Sequence, residues 1–408
     1  MFAKKLLLFI AIFPSLLLAS FRGYLIDAKS NLPIANATIS DTNSSTKSDK
    51  NGLFYIDSNS SLYHIKAYGY RPLSFYPHNN KTIKLEPIKV KALYLTFWGA
   101  SNNSSRLKKI LNIIDTTEVN ALVVDVKNEY GSTMFLTNFK EANSYGAQRK
   151  RTNRNIQKFI QTMRKHHIYT IARIVTFKDE IQASHNPEYA IKKKSTHKIW
   201  RNSDNMAWVD PFDKRSRNYT LAIAQEAAKV GFDEINFDYI RFPAKRGLHY
   251  LQQCTQAKRI EAIEKFLDEA KTRLQQYGVF ISVDTYGNIC WSKDDNGIGQ
   301  TVTSLAKYAD YLCPMLYPSG FSSGSFHFKY PSLHPYQVVY RSVKHIQDRI
   351  SSARVRPWLQ GFRDYTSPHK EYKKIEIQAQ IQATEDIGTN GWMLWSPSSR
   401  YKKDYLLK

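Results

Sequence analysis

The sequence predicts a (β/α)8 TIM barrel preceded by a small all-β sandwich. Three observations carry this expectation. The hydrophobic period changes near residue 89, eight apolar strand-like runs then alternate with helical patterns up to residue 408, and polar side chains gather at the C-terminal ends of those runs.

The elements follow in chain order. Residues 1–20 place Lys4 and Lys5 ahead of an apolar run from Leu6 to Leu18 and the small residues Ala19 and Ser20, the pattern of a secretory signal. A membrane anchor is the alternative, but the run falls short of the ~20 residues that a span needs. Export is therefore expected, with no stable transmembrane anchor, and the absence of a cysteine at the cleavage point disfavours a lipid anchor. Residues 21–88 alternate in period two and are interrupted by Asn, Gly, Asp and Pro at short intervals, which predicts the sandwich. Gly23 and Asp27, Pro33-Ile34, Asn36-Ala37, Asp49, Gly52-Leu53-Phe54 and Gly69-Tyr70 give this stretch a pattern that resembles the carboxypeptidase regulatory-like domain. That resemblance implies an accessory fold and not a peptidase.

From residue 89 onward the strand-like runs are 90–98, 119–127, 168–175, 232–242, 279–287, 309–317, 356–362 and 391–396. Between them, apolar residues recur at helical spacing: Leu107, Ile110, Leu111 and Ile114; Ile156, Phe159, Ile160 and Met163; Ile260, Ile263, Leu267, Ala270 and Leu274; Val339, Val343, Ile346 and Ile350. Alternation of this kind means parallel strands, and eight of them fit a closed barrel. An open doubly wound sheet is the competing architecture. It would want a Gly-rich phosphate turn after its first strand, and "FWGASNNSS" has none.

In a barrel the C-terminal strand ends carry the chemistry. Here they read Trp98, Asp125 with Lys127, Arg173, Asp238 with Arg241, Asp284 with Tyr286, Tyr317, Gln360 and Trp395. Side chains alternate along a strand, so Asn236 and Asp238 share one face and Ser282 and Asp284 another, both directed into the barrel mouth. Neighbouring strands lie ~4.8 Å apart, which brings the two aspartates within the range of a glycosidase carboxyl pair. Such a pair is needed because one carboxyl protonates the leaving oxygen while the other attacks or activates water. Asp238 is thus expected as nucleophile or base and Asp284 as acid, with Asp125, Arg173 and Arg241 binding or tuning, and Trp98, Tyr317, Trp358 and Trp395 offering flat faces to sugar rings. The bland reading of each is structural: an ion pair of Asp238 or Asp284 with Arg173 or Arg241, a pair of Asp125 with Lys127, and a tryptophan in the core. The connection 176–214 is long enough for a lid or binding surface. It adds Asp179 and Asp210 as candidates, although Asp210-Pro211 also suits a helix cap.

Composition bounds the rest. Lys and Arg number 59 against 35 Asp and Glu, a net charge of +24. In an exported protein this favours an acidic glycan, cell-wall polymer or membrane surface over nucleic acid, while the clusters at Arg149–Arg151 and Lys192–Lys194 also read as solvated loops. Cys254, Cys290 and Cys313 are too few for a disulfide framework or a CxxC metal site. The histidines lack paired-ligand spacing, and there is no GxSxG, P-loop or HExxH, so neither metal nor other cofactor is expected.

The ordered motifs "ALYLTFWGA", "NALVVDVKNEYG", "YTIARIVTFKD", "WVDPFDK", "GFDEINFDYIRFP", "SVDTYG", "DYLCPMLYPS", "RPWLQGF" and "GWMLWS" resemble a bacterial glycoside hydrolase TIM-barrel family, itself distantly similar to α-amylase-type barrels. The resemblance runs from residue 90 to about 400. It implies a barrel acting on carbohydrate. An amylase-type layout makes Asp238 the nucleophile or base and puts the acid on Asp284, where amylases have Glu. That layout also carries an Arg two residues before the nucleophile, where this chain has Asn236. The expected function is an exported glycoside hydrolase. Two alternatives use the same features: a non-catalytic polysaccharide-binding protein of the envelope, and a structural envelope protein held to acidic polymer by its basic surface.

Overall fold

The computed structural model describes residues 20–58, 60–77 and 82–407. The leader expected over 1–20 lies, apart from Ser20, outside the described residues. Ser20–Asp27 runs antiparallel to Leu53–Asp57 and parallel to Thr82–Leu85. A second sheet orders Ser45–Lys47, Thr38–Ser40, Tyr63–Lys66 and Leu73–Phe75. Leu25, Ile39, Phe54, Tyr63 and Ile65 form the apolar layer of this small β-rich domain, where alternation had predicted a sandwich.

The remainder is the barrel. Its strands are β1 (Val90–Leu95), β2 (Ala121–Lys127), β3 (Tyr169–Val175), β4 (Glu234–Asp238), β5 (Phe280–Thr285), β6 (Tyr311–Pro314), β7 (Trp358–Gln360) and β8 (Gly391–Trp395). They are parallel, in the order β6-β5-β4-β3-β2-β1-β8-β7. Parallel bridges from Leu312 to Val355 and from Met315 to Trp358 join β6 to β7 and close the cylinder.

The strands are shorter than the apolar runs. β1 stops at Leu95 because the Thr96 side chain accepts from Gly99 N–H and starts a 3-10 turn over Phe97–Ala100. β4 stops at Asp238 because Tyr239 turns into the left-handed region, φ 49°.

Helices α1 (Ser105–Ile114), α2 (Ile156–Lys165), α3 (Lys214–Val230), α4 (Gln256–Leu274), α5 (Val302–Ala306), α6 (Pro335–Ile346) and α7 (Lys374–Asp386) separate successive strands. Ser104, Asn155, Asp213, Thr255 and Thr301 cap five of them with side-chain oxygens that accept N–H donors of the first turn. Outward-facing Leu93, Val124, Ile174, Phe237, Val283 and Leu359 pack under the helices. Inward-facing Ala92, Val123, Ile171, Phe280, Cys313 and Met393 fill the lumen. Burial on both faces explains why the runs read as nearly continuous apolar segments.

At the N-terminal end of the strands, Glu234 and Arg356 form a buried ion pair, with Nη1 2.8 and 2.9 Å from the two carboxylate oxygens. Tyr169 donates to the same carboxylate at 2.9 Å. The N-terminal domain covers this end. Lys66 Nζ reaches Asp310 at 2.9 Å, Gly69 N–H donates to the Tyr311 hydroxyl at 3.2 Å, and Arg71 donates to the His167 carbonyl at 2.7 Å. The opposite, C-terminal end is left for a site.

Candidate active site

The mouth holds a cavity of about 290 Å³ lined by Glu129, Arg173, Asp238, Tyr239, Arg241, Asp284, Tyr286, Met315, Tyr317, Trp358 and Trp395. Asp238 comes from the end of β4 and Asp284 from β5. Asn236 pairs with Ser282 and Phe237 with Val283 in register, so the next step along the two strands sets the aspartates side by side.

Arg173, on β3, organises the acids. Its Nε and Nη2 donate to Asp238 Oδ2 at 2.9 and 2.5 Å, Nη1 donates to Asp125 Oδ1 at 2.5 Å, and Nη2 also reaches Glu129 Oε1 at 3.1 Å. The amylase-type layout wants an Arg on the strand of the nucleophile; here the guanidinium arrives from the neighbouring strand. The place of that Arg is held by Asn236, which donates to Asp284 Oδ1 at 2.9 Å. Trp358 Nε1 donates to the same oxygen at 2.7 Å.

Three carboxylates thus share one guanidinium, and the balance is negative. Burial, opposed by Arg173 and reinforced by Glu129, pushes Asp125 up to about 6. Burial also opposes ionisation of Glu129, yet Arg173, a backbone hydrogen bond and Lys178 together hold that carboxyl below its ordinary value. Asp284 is 2% exposed and forms no ion pair among the described residues. Burial first, and then the charge of Asp238, drive its carboxyl well above the ordinary range. Asp238 Oδ1 accepts the Tyr239 N–H at 2.6 Å, a bond set up by the left-handed turn of Tyr239.

Aromatic rings wall the cavity. Trp395 stacks on Tyr94 with centroids 3.8 Å apart and meets Trp358 edge-on at 5.5 Å, and the Arg173 guanidinium lies 5.1 Å from the Trp395 ring. Tyr94 donates to Asp125 Oδ2 at 2.5 Å. Tyr317 leans on Phe362.

Of the residues expected from the sequence, Arg173, Asp238, Arg241, Asp284, Tyr317, Trp358 and Trp395 line this one cavity, with Asp125 directly beneath it through Arg173. Asp125 does not pair with Lys127, which instead meets Asp179 at 2.8 Å in a fully buried pair. A bulge makes room for this: the β2–β3 ladder passes from Asp125 to Lys127 and skips Val126.

Asp210 and Trp98 lie apart from the cavity. Asp210 accepts from the Phe212 and Leu251 amides at 3.0 and 2.6 Å and ties two top loops together; burial pushes it up to about 6. Trp98 is 67% exposed and lines a separate cavity of about 480 Å³ with Asn128, Tyr130, Arg149, Lys150 and His185. Glu129 faces the first cavity and its chain neighbours Asn128 and Tyr130 face the second, so the two adjoin along the loop after β2.

The sequence reading missed Glu129, Tyr239, Met315 and Tyr94. Tyr94 was findable, since it follows Val90 and Ala92 on the inward face of β1. Glu129 was not, because it lies two residues past the strand, where alternation no longer fixes direction.

Residues 92–401 match the family described as "Putative glycosyl hydrolase domain". The chain belongs to that family. Among solved structures, this glycosyl hydrolase is 34% identical to a hypothetical protein from Ruminiclostridium thermocellum ATCC 27405, over 47% of this chain and 96% of that one, with a TM-score of 0.41. It also resembles the glycoside hydrolase domain of PgaB (BpsB) from Bordetella bronchiseptica, at 12% identity over 77% and 95% of the chains and a TM-score of 0.57. The catalytic domain of β-amylase from Paenibacillus polymyxa is similar at 10% identity, over 78% and 95%, with a TM-score of 0.50. At 12% and 10% the likeness is one of fold. No curated protein matches the sequence. Among the described residues of this glycosyl hydrolase, no helix is long and apolar enough to cross a membrane.

Proposed function

We propose that the barrel mouth cleaves glycosidic bonds in a polysaccharide or cell-envelope glycan, with Asp238 as nucleophile or general base and Asp284 as general acid. The observation that carries this reading is the contrast between two adjacent carboxyls. Asp238 is ion-paired with Arg173, whereas Asp284 is buried, has no ion pair among the described residues and is driven well above the ordinary carboxyl range, which favours its protonated form. Asp284 passes that proton to the leaving glycosidic oxygen as the bond to the anomeric carbon breaks. Asp238 attacks that carbon or takes a proton from the attacking water. The surplus negative charge around Arg173 favours the positive charge that develops on the sugar ring. Glu129 is a poor acid in the same cavity because Arg173 holds it ionised.

Trp395, Tyr317 and Trp358 offer flat walls to the sugar at the reacting centre, and Trp98 with Tyr130 extends the path to a further sugar. Export follows from the leader-like pattern of residues 1–20, and the N-terminal domain, which resembles a carboxypeptidase regulatory-like module, positions the barrel on its polymer.

A second reading has its own observation. Both oxygens of Asp238 already accept hydrogen bonds, which also suits a glycan-binding cleft without turnover. The deciding test is reducing-end release by the purified protein from neutral and acidic bacterial polysaccharides, with Asp238→Asn beside wild type. Hydrolysis predicts release that falls at least ~10²-fold in the variant. Equal binding by both proteins with no release selects the binding cleft, and wild-type release by Asp238→Asn removes Asp238 from the mechanism.

A further inference from the structure

Arg241 differs from four arginines of the barrel that sit against carboxylates. Arg173 faces Asp238, Arg217 faces Glu269, Arg259 faces Asp295 and Arg356 faces Glu234. Arg241 lines the cavity without a carboxylate in ion-pair contact among the described residues. Nη1 donates to the Phe242 carbonyl at 3.2 Å, and the guanidinium carbon lies 5.1 and 5.2 Å from the centroids of Trp208 and Tyr239, two rings that meet edge-on 5.6 Å apart. Asp238 is close enough to act on its charge, but the oxygens of Asp238 are taken by Arg173 and the Tyr239 amide.

A guanidinium partly withdrawn from water without a counter-ion is costly, and burial here weakens its hold on the proton. The arrangement is nonetheless built. The connection between β3 and α3 folds back through bridges from Lys178 to Trp208 and from Ala190 to Val209, and this brings Trp208 onto Arg241. Two rings lie beside the guanidinium in cation–π contact, and Nε and Nη2 have no acceptor among the described residues. That edge is complementary to a planar anion with two oxygens.

We propose that Arg241 recognises a carboxylate carried by the sugar beside the scissile bond, so that the substrate is an acidic, uronate-type glycan. The proposal rests on the glycosidase reading of the same mouth and adds the substrate class to it. The cavity is then two-sided: acids under the reacting carbon, and one cation for a substituent. The net charge of +24 and the Arg149–Lys150 pair of the adjoining cavity suit a polymer with repeating negative charge.

The test compares hyaluronan, polygalacturonate and alginate, each beside its carboxyl-reduced counterpart, with wild type, Arg241→Gln and Arg241→Lys. The quantity read is the ratio of kcat/KM for the acidic form to that for the reduced form. The expected ratio is at least tenfold in wild type for the polymer that is cleaved, falling toward one in Arg241→Gln and lying between in Arg241→Lys, which keeps the charge and loses the fork. A wild-type ratio near one overturns the proposal, as does an undiminished ratio in Arg241→Gln. If none of these polymers is cleaved, the hydrolase reading rests on the wider polysaccharide panel, and binding of the same pairs decides this one separately. Preference for an acidic form, lost in Arg241→Gln, supports it; equal binding of both forms, or none of either, overturns it.

Discussion

At the scale of single residues, the site is a set of carboxyls whose differences come from neighbours. Asp284 gains its raised value from burial and from Asp238, while the Trp358 and Asn236 donors act in the opposite direction. Activity should therefore fall on the alkaline side as Asp284 loses its proton. Trp358→Phe removes a donor that favours the carboxylate, so the alkaline limb of kcat/KM should move up by about half to one pH unit. A limb that stays put or moves down in that profile would take the acid role from Asp284. Arg173→Met should cost about 3–5 kcal/mol in urea unfolding at pH 7, because it leaves Asp125, Glu129 and Asp238 facing one another. Part of that loss should return at pH 5, where Asp125 is protonated; a loss equal at both pH values would contradict the charge-sharing account. Asp238 and Asp284 were legible in the sequence because a charge on the inward face of an apolar strand is conspicuous. The sharing of Arg173 was not, since it depends on cross-strand register between β2, β3 and β4, which no local pattern specifies.

At the scale of elements, the strands and helices of the barrel follow from their periodicity, and the errors lie at the ends. The 232–242 run reads as one strand, yet the strand ends at Asp238, where Tyr239 turns into the left-handed region and gives its N–H to Asp238 Oδ1. Likewise the apolar rhythm through Trp98 hid a 3-10 turn, and this turn carries the Trp98 ring out of the mouth into the adjoining cavity. Trp98→Ala should therefore raise KM several-fold on long oligosaccharides and much less on short ones that fill only the mouth, with folding intact because the ring is exposed. Equal effects on both lengths would mean that the two cavities do not serve one chain.

At the scale of the whole molecule, stability should have an unusual dependence on pH. Asp125 and Asp210 are each pushed up to about 6, and Asp233 and Asp284 are raised too, mainly by burial. A raised folded-state value means that the folded chain binds the proton more tightly than the unfolded one. The stabilisation is present at low pH and is lost as pH rises through about 6. His64, held below its ordinary value by burial, works the other way. Carboxyls held low by partners, such as Asp213, Asp295 and Glu385, keep their contribution until pH falls below their ordinary range. The melting temperature should rise between pH 7.5 and 5.5, as the unfolding free energy grows by on the order of 1 kcal/mol for each of Asp125 and Asp210, before both decline in stronger acid. A fall over that interval in thermal melts would show that these acids are not buried as described. The closed barrel was legible from the count and order of runs. The docking of the N-terminal domain on the closed end was not, because Lys66 and Arg71 look like any solvated cation until Asp310 and the His167 carbonyl are placed beside them.

The junction of β6 and β7 has one more implication. Seven joints of the cylinder are laced by ladders, whereas this one is fastened by two bridges, and Met315 and Trp358, the partners in one of them, both stand in the cavity wall. The cylinder therefore has a seam, and the seam opens into the place where a sugar would sit. Amides along β6 and β7 should exchange with deuterium sooner than those of β2 and β3, and a bound oligosaccharide touching Tyr317 and Trp358 at once would act as a stitch that slows them.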